Sequence, residues 1–176
     1  LKGSFITEWK KGRQVYSFDL RNLGDSFLSL WESVLTVYAL ARSFGMAPKS
    51  ILTKCSGFVP LAHRSQWVDE IKGVVFINDS KATNVDATIH ALKTFKNVHL
   101  ILGGRAKEDN FGQLQDSMNN ISKIYLIGEA AALIASNFEG QEIEQFDTLN
   151  DAFDSAISIA TEGDTILLSP ACASFD

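Results

Sequence analysis

With 176 residues, 45% of them apolar, the chain is long enough to bury a full core, and its length fits one domain plus an extra piece. A formal charge of −5, with bases scattered among acids, offers no basic face for a phosphate backbone and argues against nucleic-acid binding. The apolar runs fall well short of the roughly 20 residues a membrane span needs and no signal-peptide pattern is present, so a cytoplasmic protein with no membrane contact is expected.

Phe5 to Trp9 and Gln14 to Leu20 are rich in aromatic and β-branched residues, with Lys10-Lys11-Gly12-Arg13 between them, which predicts a β-hairpin. From Ser26 to Phe44 apolar residues recur at helical spacing (Leu30, Val34, Val37, Leu40, Ala41, Phe44), and Gly45 supplies a stop. Pro48 suits the first turn of a short helix through Leu52, and 56–60 reads as a linker. Strands are then predicted at 74–77, 98–102, 123–127, 142–146 and 165–168. Helices at about 84–95, 111–118, 129–137 and 149–161 alternate with them. Val68 begins a candidate edge strand beside 74–77. The fold class is therefore α/β, a Rossmann-like, mostly parallel sheet with helices on both faces, preceded by the hairpin and its helices. Domain boundaries are expected at 1–60 and 61–176.

Ligands of such sheets bind beyond the carboxyl ends of the strands, which directs attention to the segments that follow strands. After the first lies Asn78-Asp79-Ser80-Lys81-Ala82-Thr83-Asn84, rich in hydrogen-bonding and charged groups. A turn closed by Asp79 and Ser80, with Thr83 or Asn84 as helix cap, accounts for most of it, but not for Lys81. After the second come Gly103-Gly104 and Lys107, where the glycines allow close backbone approach and the lysine can hold an anion, or be merely solvated. The last strand runs into Ser169 to Asp176, small residues suited either to a tight loop with exposed hydroxyls or to packing. Arg64, in the linker beside His63, is placed to reach a phosphate at an interdomain cleft, or else is solvated. His90 and His99 read as packing or surface residues. Cys55 and Cys172 lack the spacing of a zinc or redox site and read as reduced, buried thiols.

Together, NDSKATN at 78–84, His63-Arg64, Gly103-Gly104 with Lys107, and SPACASFD at 169–176 resemble the Mur ligases, and within that family the branch that adds D-glutamate. The likeness covers essentially the whole chain. It implies that 61–176 form the C-terminal Rossmann-like domain and that 1–60 are the end of a central ATPase domain. It implies an ATP-dependent amide ligase of peptidoglycan synthesis, with ATP and Mg2+, that joins D-glutamate to UDP-N-acetylmuramoyl-L-alanine through an acyl phosphate. Carried over by the motifs, Arg64, Asp79 and Lys81 meet the nucleotide, and Thr83, Lys107, Ser174 and the backbone of Phe175 meet D-glutamate. No residue is assigned to the metal, and the catalytic residues are not identified.

The departures from the pattern matter equally. The sequence has no glycine-rich P-loop and none of the family's central-domain magnesium ligands, and it stops before the aromatic residue that closes the D-glutamate pocket. Taken alone, the chain is expected to be inactive, and the apolar face of its first helix is expected to pack on the α/β domain or on a second copy. The family's His-Asn and Glu-Asn pattern at the start of that helix is replaced by Phe27 to Ser33, with Ser33 where an asparagine meets adenine. This favours the alternative of a non-catalytic amino-acid or nucleotide-binding module.

Overall fold

The structure is a computed structural model that describes residues 4–24, 27, 30–59, 61–107, 110–138 and 140–173. It divides into two compact units, Leu1–Pro60 and Leu61–Asp176.

In the first unit, strands β1 (Phe5–Lys10) and β2 (Arg13–Asp19) form an antiparallel hairpin. Lys11 and Gly12 make its two-residue turn, both with positive φ (49° and 75°), the geometry that matches the twist of the flanking strands. Helix α1 (Trp31–Ser43) follows, then α2 (Pro48–Cys55), which has Pro48 in its first turn. The predicted start of α1 near Ser26 falls outside the described residues. Ile6, Leu20, Phe27, Val34, Tyr38, Ile51 and Leu52 form the unit's core. A fork of hydrogen bonds ties hairpin to helix. Arg42 donates to both carboxylate oxygens of Glu8 at 2.9 Å, and the Tyr38 hydroxyl donates to Glu8 at 2.7 Å.

The second unit is a six-stranded sheet of order β3-β4-β8-β5-β6-β7. Its strands are β3 (Gln66–Ile71), β4 (Val74–Asn78), β5 (Val98–Gly103), β6 (Ile121–Ile127), β7 (Ile143–Phe146) and β8 (Thr165–Leu168). All are parallel except β3, which returns antiparallel along β4 through a second Lys-Gly turn, Lys72-Gly73. Successive strands from β4 to β7 advance in one direction and β8 turns back. Right-handed crossovers therefore send the earlier connections to one face and the last to the other. The cores agree. Alpha helices α3 (Val85–Leu92) and α4 (Ala131–Ala135) pack with Leu100, Leu102, Ile124 and Leu126, whereas α5 (Leu149–Ile159) packs with Ile101, Tyr125 and Ile166.

The predicted helix at 111–118 is instead a 3-10 segment, Phe111–Asn120. Its sequence holds Gly112, Asp116, Ser117, Asn119 and Asn120, all poor helix formers, and Asn110 makes no side-chain cap. Burial of Phe111, Leu114 and Met118 keeps the segment in place without full α geometry. Helix α5, by contrast, is closed at its start by the Thr148 hydroxyl, which accepts from the Asp151 amide at 3.1 Å. His99 is a core residue, with Nδ1 2.8 Å from the Tyr125 hydroxyl, and burial pushes that tyrosine up to about 12. Among the described residues no helix is long and apolar enough to cross a membrane.

Candidate functional site

The segments singled out in the sequence meet at the carboxyl edge of the sheet. Because β3 runs antiparallel to β4, its first residue, Gln66, lies opposite Asn78, the last of β4, and this brings His63-Arg64-Ser65 beside the NDSKATN segment. The turn is strained: His63 and Ser65 are non-glycine residues at φ 66° and 41°. Side chains and backbone of the NDSKATN segment hold it. Asn78 Nδ2 lies 3.0 Å from His63 Nδ1, the Lys81 amide donates to the His63 carbonyl at 3.1 Å, and the Ser65 amide donates to Asp79 Oδ1 at 2.8 Å. Arg64, between the two strained residues, is exposed, as is Lys81.

Asp79 is 6% exposed. Its second oxygen accepts from the Ser169 hydroxyl at 2.8 Å, and its amide donates to the Leu168 carbonyl, so the residue joins the ends of β4 and β8. Burial raises its carboxyl above the ordinary aspartate range, opposed by the bonds from Ser65 and Ser169 and by the positive field of Arg64 and His90. The question of which residue caps the following helix is settled in favour of Asn84, whose side chain accepts from the Ala87 amide at 2.9 Å. Thr83 is left half-buried with its hydroxyl free of that duty.

The Gly103-Gly104 pair passes between two other strand ends. Gly104 donates to the Ile127 carbonyl, and its own carbonyl accepts from Ala130 at 3.0 Å. A Cβ on Gly103 would run into the Ile127 carbonyl oxygen, and one on Gly104 would come within 2.6 Å of the Ala173 carbonyl oxygen. Just beyond, Arg105 and Ala173 form an isolated antiparallel bridge. The loop that carries exposed Lys107 is thus pinned to the residue before Ser174. Ser174 and Phe175 themselves lie outside the described residues. Cys172, in the same loop, is buried, and burial pushes its thiol up to about 11; Cys55 is only half-buried.

The structure therefore gathers Arg64, Asp79, Lys81 and Thr83 in one cluster of loops and ties the Lys107 loop to Ala173, within the chain's last motif. Sequence reasoning missed Ser65 and Thr88, and gave Ser169 no role of its own. Thr88 carried a signal: it is the one hydroxyl on the stripe of α3 that otherwise buries Val85, Ala91 and Leu92. Gly128 was also overlooked, although a Cβ there would lie 3.0 Å from Gly104 Cα.

A doubly covered parallel sheet whose strand-end loops present exposed cations is a form suited to anionic substrates. Residues 63–172 match the sequence profile of the Mur ligase family's glutamate ligase domain, and the chain belongs to that family. Relatives named UDP-N-acetylmuramoylalanine--D-glutamate ligase include that of Ruegeria pomeroyi, 41% identical over 173 residues. That alignment covers 98% of this chain and 37% of the relative. The one from Koribacter versatilis is 44% identical over 147 residues, 82% of this chain and 32% of the relative. The chain thus spans about a third of the length of the relatives it matches. Among solved structures, the bifunctional folylpolyglutamate synthase/dihydrofolate synthase of Yersinia pestis superposes with a TM-score of 0.65 at 17% identity, over 96% of this chain and 43% of that one. The MurF ligase of Thermotoga maritima, in complex with ADP, gives 0.56 at 14%, over 94% of this chain and 42% of that one. These two show a shared fold.

Proposed function

We propose that this chain is the D-glutamate-binding part of a cytoplasmic, ATP-dependent ligase that joins D-glutamate to UDP-N-acetylmuramoyl-L-alanine in peptidoglycan precursor synthesis. What carries the reading is the convergence of the Arg64 turn with the NDSKATN segment at the same sheet edge where the Lys107 loop is bridged to Ala173.

In this reading the carboxylate of the UDP-linked substrate attacks the γ-phosphate, ADP leaves, and the D-glutamate amine displaces phosphate from the resulting acyl phosphate. Both steps concentrate negative charge, and exposed Arg64 and Lys81 are suited to meeting phosphate oxygens. Asp79 spends one lone pair of each oxygen internally and keeps the others for a nucleotide hydroxyl. Lys107, Thr83, Ser174 and the Phe175 amide hold the carboxylates of D-glutamate and leave its amine free. Mg2+, which neutralises phosphate charge in such reactions, is assigned no ligand here, since among the described residues no group of three or more His, Cys, Asp or Glu side chains is placed to hold a metal ion. Residues 1–60 are read as the end of the central ATP-binding domain.

The second reading, a non-catalytic binding module, has one observation in its favour: Ser33 stands exposed near the start of α1, where the resemblance expects an adenine-binding asparagine. Titrating the 15N-labelled chain with ADP, D-glutamate and L-glutamate separates the two. The ligase reading expects ADP to shift the amides of Arg64, Ser65 and Lys81, and D-glutamate, in preference to L-glutamate, to shift those of Thr83, Lys107 and Ala173. Response to glutamate of either hand with none to ADP favours the module. Silence toward all three overturns both.

A further inference from the structure

Thr88 and Ser169 are both fully buried, so neither can touch a ligand. Burying a hydroxyl is unfavourable unless it finds a partner, and an apolar residue of the same shape would serve packing equally well. Both hydroxyls are spent on one chain of bonds. Ser169 Oγ lies 2.8 Å from Asp79 Oδ2 and 3.0 Å from Thr88 Oγ1, and it has a single proton to give. The carboxylate is the stronger acceptor and takes it. Thr88 must then be the donor of its own pair, with the Ser169 hydroxyl at 3.0 Å and the Ser169 carbonyl at 3.2 Å as acceptors. With both oxygens of Asp79 engaged, its rotamer is fixed, and its Oδ1 meets the Ser65 amide.

The far end of this chain is the turn in which His63 and Ser65 hold left-handed backbone conformations on either side of Arg64. Such strain persists only where surrounding groups over-determine it. Ser169 is also the first residue of the loop that leads to Ala173 and its bridge with Arg105. One brace therefore reaches both the Arg64 turn and the loop bridged to that of Lys107.

We propose that Thr88 and Ser169 are positioning residues, whose hydroxyls lock Asp79 so that it clamps the His63–Ser65 turn and sets where Arg64 presents its guanidinium. The part that concerns nucleotide rests on the function proposed above; the part that concerns the brace does not.

The test compares amide hydrogen exchange in the 176-residue chain for the unmodified protein, Thr88→Val (same shape, no hydroxyl), Thr88→Ser (hydroxyl kept) and Ser169→Ala, each followed by titration with ADP. Thr88→Val and Ser169→Ala are expected to exchange the Ser65 amide on the order of tenfold faster while the amides of Leu100 and Ile124 in the central strands stay protected. Thr88→Ser restores the original rate. ADP affinity follows the same order. A Ser65 rate unchanged in both Thr88→Val and Ser169→Ala overturns the proposal, as does a Thr88→Ser rate as fast as that of Thr88→Val, which would assign Thr88 to packing. Loss of protection at Leu100 and Ile124 in Thr88→Val marks global unfolding, and Ser169→Ala with Thr88→Ser then decides. An unmodified chain that ignores ADP overturns the nucleotide reading and leaves the exchange result to judge the brace.

Discussion

Arg105 and Ala173 exchange both of their backbone hydrogen bonds, at 3.0 and 3.1 Å, across 68 residues of sequence. The bridge forms only because Gly104 lets the two strand-end loops come close, at φ 132°. Gly104→Ala would put a methyl 2.6 Å from the Ala173 carbonyl oxygen in a conformation that side chains rarely adopt. Backbone strain of this kind costs about 1–3 kcal/mol, and the clash adds to it. Chemical denaturation should show a loss of at least that size. The Arg105 and Ala173 amides should lose exchange protection before those of β5. Stability within error of the original would mean that the loop relaxes without cost.

The carboxylate of Glu8 is held down to about 2, first by the hydrogen bond from Arg42 and then by that from Tyr38. A group whose folded pKa lies below its unfolded value of 4.5 contributes stability above that value and loses it as pH falls through the folded one. The unit Leu1–Pro60 should therefore weaken between about pH 4.5 and pH 2. Glu8→Gln should be less stable than the original at neutral pH, and the gap should close across that window. Following unfolding through Trp9 and Trp31 fluorescence checks this. A constant gap from pH 7 to pH 2 would show that the pair is not linked to folding.

The helix and strand pattern was largely legible because the inner strands of the second unit are nearly continuous apolar runs, β5 being buried along its whole length, and because strand and helix alternate along the chain. Leu100 and Leu102 face one core, and Ile101 faces the other. Phe111 to Asn120 was not legible as a 3-10 segment, because the spacing of Phe111, Leu114 and Met118 fits a helix, and what weakens the α form is its poor helix formers together with the missing cap. At the site, Asp79, Lys81 and Lys107 announced themselves as charges after strand ends, and Arg64 as a charge in the linker before β3. Ser65 did not, since its contribution is a backbone amide, and its proximity to Asp79 depends on the β3-β4 register.

Helix α1 bears exposed Leu35, Val37 and Leu40, and Phe44 at its C-terminal cap is 79% exposed. Apolar surface of this kind seeks a partner. Sedimentation of the chain over a range of concentrations is expected to show either association or a monomer in which these side chains are protected. Leu40→Lys with Phe44→Lys should abolish any association. A strict monomer with the four side chains freely labelled or quenched would refute the expectation.

The chain alone is expected to neither hydrolyse ATP nor form an amide, because phosphoryl transfer needs a cradle for the β- and γ-phosphates and no P-loop motif occurs in its sequence. Supplying ATP, magnesium and both substrates to the purified chain tests this. Any D-glutamate-dependent release of phosphate would refute it.

Lys107 is exposed at the end of a glycine loop, a place where a lysine contributes little to folding. Lys107→Ala should leave the melting temperature nearly unchanged, with a stability change within roughly 0.5 kcal/mol. Its compact charge suits a carboxylate, and the bridge between Arg105 and Ala173 keeps it near the loop that continues into Ser174. In the chain the substitution should weaken D-glutamate binding. In a full-length ligase it should raise the KM for D-glutamate strongly, since removing one partner of a desolvated charge pair costs roughly 2–5 kcal/mol. Turnover should also fall, because an amine no longer aimed at the acyl phosphate reacts more slowly. Steady-state kinetics with D-glutamate varied at saturating ATP, beside thermal unfolding of the same variant, measures both. Unchanged kinetics would remove Lys107 from the site, and a large loss of stability would make it a structural residue.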